Sequence, residues 1–241
     1  MANERDRPLL SVVMPAYNEQ ATIAEIIRRV RAAPHDKEII VVDDASTDRT
    51  PEIVEEIIRD TAAEAPPGRL RLCRHDRNQG KGAALRTAQQ HVRGRFTLIQ
   101  DADLEYDPQD YDALLAPLLD GRADVVFGSR FLGGPHRVLY FWHRVANGLL
   151  TTFSNMLTNL NLTDMETGYK AMRTDVFQRI NIASDRFGIE PELTAKLARM
   201  ALRIYETPIS YSGRDYAEGK KITWRDGVAA IWHVLRFRLA D

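Results

Sequence analysis

Residues 96 to 107, FTLIQDADLEYD, end an apolar run in Asp101, Asp103, Glu105 and Asp107. Carboxylates at i, i+2 and i+4 leaving a buried strand suit a hard divalent cation, which takes oxygen ligands. They suit equally a solvated acidic turn before a helix opened by Pro108 and Asp110. Taken alone, the segment does not separate these readings. Two further apolar runs end in the same way. Ser11 to Met14 leads into Pro15, Ala16, Tyr17, Asn18 and Glu19, and Glu38 to Val42 leads into Asp43, Asp44, Ala45, Ser46, Thr47 and Asp48. A fourth polar segment, Asn78 to Gly82 (NQGKG), sets two glycines and Lys81 before a helix, a composition suited to holding phosphate. It lacks Walker spacing, which disfavours a P-loop NTPase. Asp48 precedes Thr50 and Pro51 and reads as helix-cap chemistry, and Asp107 reads as a turn residue before Pro108.

These clusters need elements to position them. Short runs rich in Val, Ile, Leu and Phe at 9–14, 37–42, 69–74, 96–100 and 124–127 alternate with helical spacing at 21–32, 51–63, 83–92 and 110–119. Such alternation predicts an α/β fold with a mostly parallel sheet and helices on both faces. In such sheets ligands bind beyond the carboxyl ends of the strands, where the polar clusters fall. Pro66, Pro67 and Gly68 read as a surface loop, because the alternation resumes at once.

The chain has 241 residues, enough for one enzyme-sized domain. A formal net charge of −1 argues against a protein that holds nucleic acid by bulk electrostatics. Cys73 is the single cysteine, so neither an internal disulfide nor a cysteine zinc site can form. The first residues, MANERDRP, lack the apolar core of a signal peptide, and a cytoplasmic location is expected. Residues 136 to 162 are helical in tendency, rich in Leu, aromatic residues and Asn, with Arg137, His143 and Arg144 near the start. Two readings stand level: a helix packed on the core, and a helix lying on a membrane surface with Tyr140 and Trp142 beside basic groups.

Together VVMPAYNE, VVDDASTD, NQGKGAAL, QDADLEYD, GSR and GRDYAEGKK resemble, in order and approximate spacing, the inverting glycosyltransferases of family 2. Within that family the chain looks like the branch that makes polyprenyl-phosphate sugars, such as dolichyl-phosphate mannose or glucose synthases. The resemblance runs from Val12 to about Asp226. It implies a GT-A fold with a Rossmann-like nucleotide-binding half and amphipathic interfacial helices, in one catalytic domain over 1–241. Residues 1–130 would hold the nucleotide sugar, and 131–241 would face acceptor and membrane.

The resemblance also implies roles. Pro15, Tyr17, Glu19, Val42 and Asp44 would contact the nucleoside, with Asp44 accepting from the base. Asp101 and Asp103 match the family's DxD pair, with Ala102 between them at the donor and Glu105 as a third ligand to Mg²⁺ or Mn²⁺. Lys81 would approach phosphate, Arg130 the reaction centre, and Arg214 and Lys220 a loop that closes over the donor, with Lys221 sharing the task. Asp103, Arg130 and Arg214 would carry catalysis. Asp164, Glu190 and Glu192 fall in acceptor-side motifs and suit sugar hydroxyls, although Glu190 and Glu192 flank Pro191 where a helix start favours acids anyway, and capping is preferred for Glu192.

The expected reaction is transfer of hexose from a UDP-glucose or GDP-mannose type donor to a polyprenyl phosphate with inversion. The lipid gives 136–162 and the stretch 224–241, with Trp224 and Trp232, a purpose as interfacial helices. Attachment is expected to be peripheral, at the cytoplasmic face, or supplied by a membrane-anchoring partner. Three alternatives stay open: a family 2 enzyme with a non-lipid acceptor, a nucleotidyltransferase, and a sensor that binds donor without turnover.

Overall fold

The computed structural model describes residues 7–62, 69–133, 141–185, 188–213, 232 and 235–237. The chain builds β1 (Leu10–Ala16), α1 (Ile23–Ala32), β2 (Lys37–Asp43), α2 (Thr50–Asp60), β3 (Leu70–Arg74), α3 (Lys81–Gln89) and β4 (Phe96–Ile99) in strict alternation. A 3₁₀ turn at Pro108–Asp110 leads into α4 (Tyr111–Leu119) and β5 (Val125–Ser129). Then come α5 (Phe141–Thr158), β6 (Lys170–Arg173), α6 (Thr174–Arg179), α7 (Ile189–Arg199) and β7 (Ile204–Pro208).

One seven-stranded sheet has the order β3-β2-β1-β4-β6-β5-β7. Every pairing is parallel except those of β6, which runs antiparallel between β4 and β5. The central strands are buried on both faces, which explains their unbroken apolar runs. Val12 and Met14 of β1 turn into one core layer with Ile23, Ile26, Ile27 and Val30 of α1. Val13 turns into the opposite layer with Leu85 of α3 and Leu193 and Leu197 of α7. The edge strands β3 and β7 are only partly buried, and Arg71 and Arg74 interrupt the apolar pattern of β3.

The predicted elements appear with shifted ends, and α3 starts at Lys81 rather than Ala83. β6, β7 and α6 have no counterpart in the sequence reading. Pro66, Pro67, Gly68, Arg137, Tyr140, Arg214, Lys220, Lys221 and Trp224 lie outside the described residues.

Candidate functional site

The carboxyl ends of β1 and β2 carry two loops laced into one platform. Asn18, at φ 55°, accepts the Thr47 N–H on its side-chain oxygen at 2.8 Å, and its own N–H reaches Ser46 Oγ at 2.9 Å. The Glu19 N–H donates to Thr50 Oγ1 at 2.9 Å, and the Gln20 N–H to Asp48 at 3.1 Å. Tyr17 stands out from this platform at 42% exposure, a surface on which a ring can stack. The Glu19 carboxylate accepts from the Thr22 hydroxyl at 2.7 Å, and Pro15 is half-buried at the end of β1. Asp48 bonds the N–H and hydroxyl of Thr50 as well as Gln20, so it bridges the two loops besides turning the chain into α2.

Val42 and Asp44, both expected at the nucleoside, pack against the start of α3. Val42 is fully buried in the core layer under α3, so its side chain faces away from the ligand edge. Asp44 spends both oxygens on the protein. They accept the Gln79 and Gly80 N–H groups at 2.9 and 2.6 Å, and His75 Nδ1 stands 2.7 Å away. The carboxylate that suits a nucleobase in sequence terms thus clamps the NQGKG turn at the start of α3. Gly82 completes the clamp: a Cβ there would lie 1.9 Å from the Ser184 carbonyl oxygen.

Lys81, the first helical residue after that turn, reaches across to Asp101 Oδ1 at 2.6 Å and Glu190 Oε1 at 2.9 Å. Burial works to lower its pKa, but Asp101 and Glu190 outweigh burial and hold it above the usual lysine range. The other oxygen of Asp101 faces Gly168, where a Cβ would come within 2.3 Å, so a bare backbone is required opposite this carboxylate. Ala102 is buried, Asp103 accepts the Glu105 N–H at 3.1 Å, and Asp107 accepts the Gln109 N–H, the turn role expected of it. Glu105 accepts the Tyr211 hydroxyl at 3.0 Å.

Glu105, the expected third ligand, is thus engaged by Tyr211 in this structure. Among the described residues no three His, Cys, Asp or Glu side chains gather into a ligand group. Asp101 and Asp103 at the end of β4 still fit Mg²⁺ or Mn²⁺ as a pair, because such ions commonly take the rest of their shell from phosphate oxygens and water. Asp101 and Asp103 would hold such an ion, with Lys81 at present on one Asp101 oxygen.

Arg130, just after β5, is held by Asp164 in a two-pronged pair, with Nε and Nη2 each 2.7 Å from a carboxylate oxygen. Asp164 is fully buried and also takes the amide of Asn147 from α5 at 3.1 Å. The guanidinium lies 5.1 Å from the centre of the Tyr211 ring. Between this pair and Lys81 sit two groups the sequence reading passed over. Lys170, fully buried at the start of β6, donates to the Met165 and Thr167 carbonyls, and burial brings its pKa down to about 8. Glu166 has one oxygen shut off from solvent with no hydrogen-bond partner among the described residues. Burial first, then Glu190, push its pKa up to about 7. Glu192, expected as a cap, instead takes the Ser184 N–H at 2.7 Å and Lys196 at 2.7 Å, holding the loop before α7. The site thus gathers alternating charges from five strand ends around one cleft edge.

The comparisons agree with this architecture. Residues 11–180 match the model of Glycosyl transferase family 2. The chain is 33% identical over 239 residues to the low-salt glycan biosynthesis hexosyltransferase Agl6 of Haloferax volcanii, covering 97% of this chain but 54% of that protein. It is 31% identical over 244 residues to an undecaprenyl-phosphate mannosyltransferase of Micrococcus luteus, covering 94% and 97% of the two chains. Glucosyl-3-phosphoglycerate synthase of Mycobacterium tuberculosis, solved with Mn²⁺, UDP and phosphoglyceric acid, superposes with a TM-score of 0.73 at 19% identity, covering 99% of this chain and 81% of that one. Mannosyl-3-phosphoglycerate synthase of Rubrobacter xylanophilus superposes with a TM-score of 0.68 at 20% identity, covering 96% and 73%. The two solved structures share the GT-A fold, and the sequence match decides the rest: this chain belongs to glycosyltransferase family 2 and is a glycosyltransferase.

Proposed function

We propose that the protein transfers a hexose from a nucleoside-diphosphate sugar to a polyprenyl phosphate, with inversion. One observation carries the choice of a lipid acceptor. On α5, Trp142, Leu149 and Met156 recur every seven residues and are 74%, 67% and 78% exposed, an apolar stripe on one side of a helix. The inner side of the same helix holds the reaction side of the cleft, through Asn147 on Asp164 and Thr151 on the Met165 N–H. A lipid bound along the stripe is proposed to reach Arg130 with its phosphate, because α5 touches Asp164, the partner of Arg130. α5 contains no Asp or Glu, which suits an anionic surface. Among the described residues no helix is long and apolar enough to cross a membrane, so a surface-bound enzyme is the corresponding proposal. The Micrococcus relative, named for undecaprenyl phosphate, supports the same acceptor class.

In this reading Tyr17 and the joined loops at 15–20 and 43–48 seat the nucleoside. Lys81 exchanges its partner Asp101 for a donor phosphate, while Glu190 keeps the ammonium charged. Mg²⁺ or Mn²⁺ held by Asp101 and Asp103 would supply positive charge to the leaving diphosphate. The acceptor needs no strong base, since a phosphate monoester loses its second proton near pH ~6. Arg130, fixed in plane by Asp164, pairs with the acceptor phosphate and aligns it for in-line attack. Arg214 and Lys220 are proposed, from the family resemblance, to close over the donor.

The test is incubation of the purified protein and Mn²⁺ with labelled UDP-glucose or GDP-mannose, offering undecaprenyl phosphate in one arm and phosphoglyceric acid in the other. Label entering the organic phase supports the proposal. Label moving only to the water-soluble acceptor overturns it in favour of a family 2 enzyme with a non-lipid acceptor.

A further inference from the structure

The opposite edge of the sheet carries a charged row that glycosyl transfer does not use. β4, β5 and β7 begin there and the reversed β6 ends there, so adjacent strands set Arg95, Arg173, Asp124 and Arg203 side by side. Backbone bonds hold the row: Thr174 N–H to Arg95 O at 3.1 Å, Arg173 N–H to Asp124 O at 3.1 Å, and Asp124 N–H to Arg203 O at 2.9 Å. Arg7 joins from the start of the chain, donating to the Arg93 and Gly94 carbonyls at 2.8 and 3.0 Å. These four arginines and Asp175 rim a cavity of about 400 Å³ floored by Phe96 and Leu118.

The charges on this cavity do not balance. Asp124 is taken by Arg203 at 2.8 Å and Arg173 at 3.3 Å, and the hydrogen bonds from Arg203 hold its carboxyl well below the usual range. Asp175 takes Arg173 at 2.8 and 2.9 Å. Among the described residues Arg7 bonds only carbonyls, and the Arg95 guanidinium, without an ion pair, has its Cζ over the Phe96 ring at 4.9 Å from the centre. Among the described residues, four guanidinium groups against two carboxylates leave two positive charges at one cavity, in a chain whose formal net charge is −1. A guanidinium stacked on an aromatic face keeps its N–H edge for an anion, and the cavity has the size of small-ligand sites.

We propose that this cavity is a binding site for a small dianion, a phosphomonoester or diphosphate, with Arg95 and Arg7 as its charge partners and Arg173 and Arg203 as supporting donors. It is separate from the donor cleft: Arg95 and Asp101 lie at opposite ends of β4, six residues apart, roughly 20 Å at the rise of a strand.

Inorganic pyrophosphate, titrated in EDTA by calorimetry and by thermal shift, is the probe. Saturable stabilisation is expected for the wild type. Arg95→Glu should weaken it about tenfold or more, and Arg95→Lys should retain most of it. Because the Arg95 side chain holds no other element, both variants are expected to keep the wild-type melting point without ligand and the wild-type response to UDP with Mn²⁺. The proposal is overturned if pyrophosphate gives no saturable response at millimolar concentration. It is equally overturned if Arg95→Glu leaves the response intact, or if Lys81→Ala rather than Arg95→Glu abolishes it, which would place the anion in the donor cleft.

Discussion

At the scale of single residues, the proposed role of Arg130 is one in which chemistry and donor binding can be measured apart. Arg130 has a buried carboxylate behind it and Tyr211 beside it, and neither contact reaches the nucleoside platform. Arg130→Ala is expected to lower hexose transfer about 10²- to 10³-fold while nucleotide affinity stays within about twofold. Equal losses in transfer assays and UDP titrations would remove Arg130 from the reaction centre. Glu166 makes a prediction in pH. Its folded pKa, about 7, stands above the usual carboxylate value, so between roughly pH 4.5 and 7 the folded protein holds a proton that the unfolded chain has lost. That contribution to stability is full below the unfolded pKa and is lost as pH rises through 7. Glu166→Gln should flatten this decline, by on the order of 1–2 kcal/mol across pH 5 to 8 in urea melts. Parallel wild-type and variant curves would show that Glu166 is ionised throughout.

At the scale of elements, the start of α3 is fixed from two sides. Asp44 ties Gln79 and Gly80, and Gly82 lets the helix touch the Ser184 backbone. Asp44→Asn should therefore loosen the turn that aims Lys81, weakening UDP-sugar affinity about tenfold and lowering the melting point by several degrees. Binding lost with the melting point unchanged would return Asp44 to direct nucleobase contact. The same element shows where sequence was legible. Strands β1, β2, β4 and β5 could be read because buried central strands are unbroken apolar runs that stop abruptly in polar loops. β6 could not be read, since a four-residue strand starting at Lys170 and ending at Arg173 owes its conformation to pairing with β4 and β5 rather than to its composition. The Tyr211 hydroxyl on Glu105 could not be read, because the two residues lie 106 positions apart. Val42 and Asp44 stand at the strand end where they were expected, and the direction of each side chain follows from α3 packing over β2.

At the scale of the whole molecule, the donor cleft, the apolar stripe of α5 and the arginine-rimmed cavity occupy separate surfaces. Trp142→Glu, Leu149→Glu and Met156→Glu together should abolish flotation with anionic vesicles containing polyprenyl phosphate, yet leave UDP binding and the melting point close to wild type, because all three side chains are exposed. A triple variant that floats like the wild type would free α5 from any membrane role. The reversed β6 has one more consequence, for the order in which the protein is made. It fills the space between β4 and β5 but leaves the ribosome after both, so a nascent chain ending near residue 169 presents two unsatisfied inner strand edges. Until residues 170–173 pair, β4 and β5 have no strand between them.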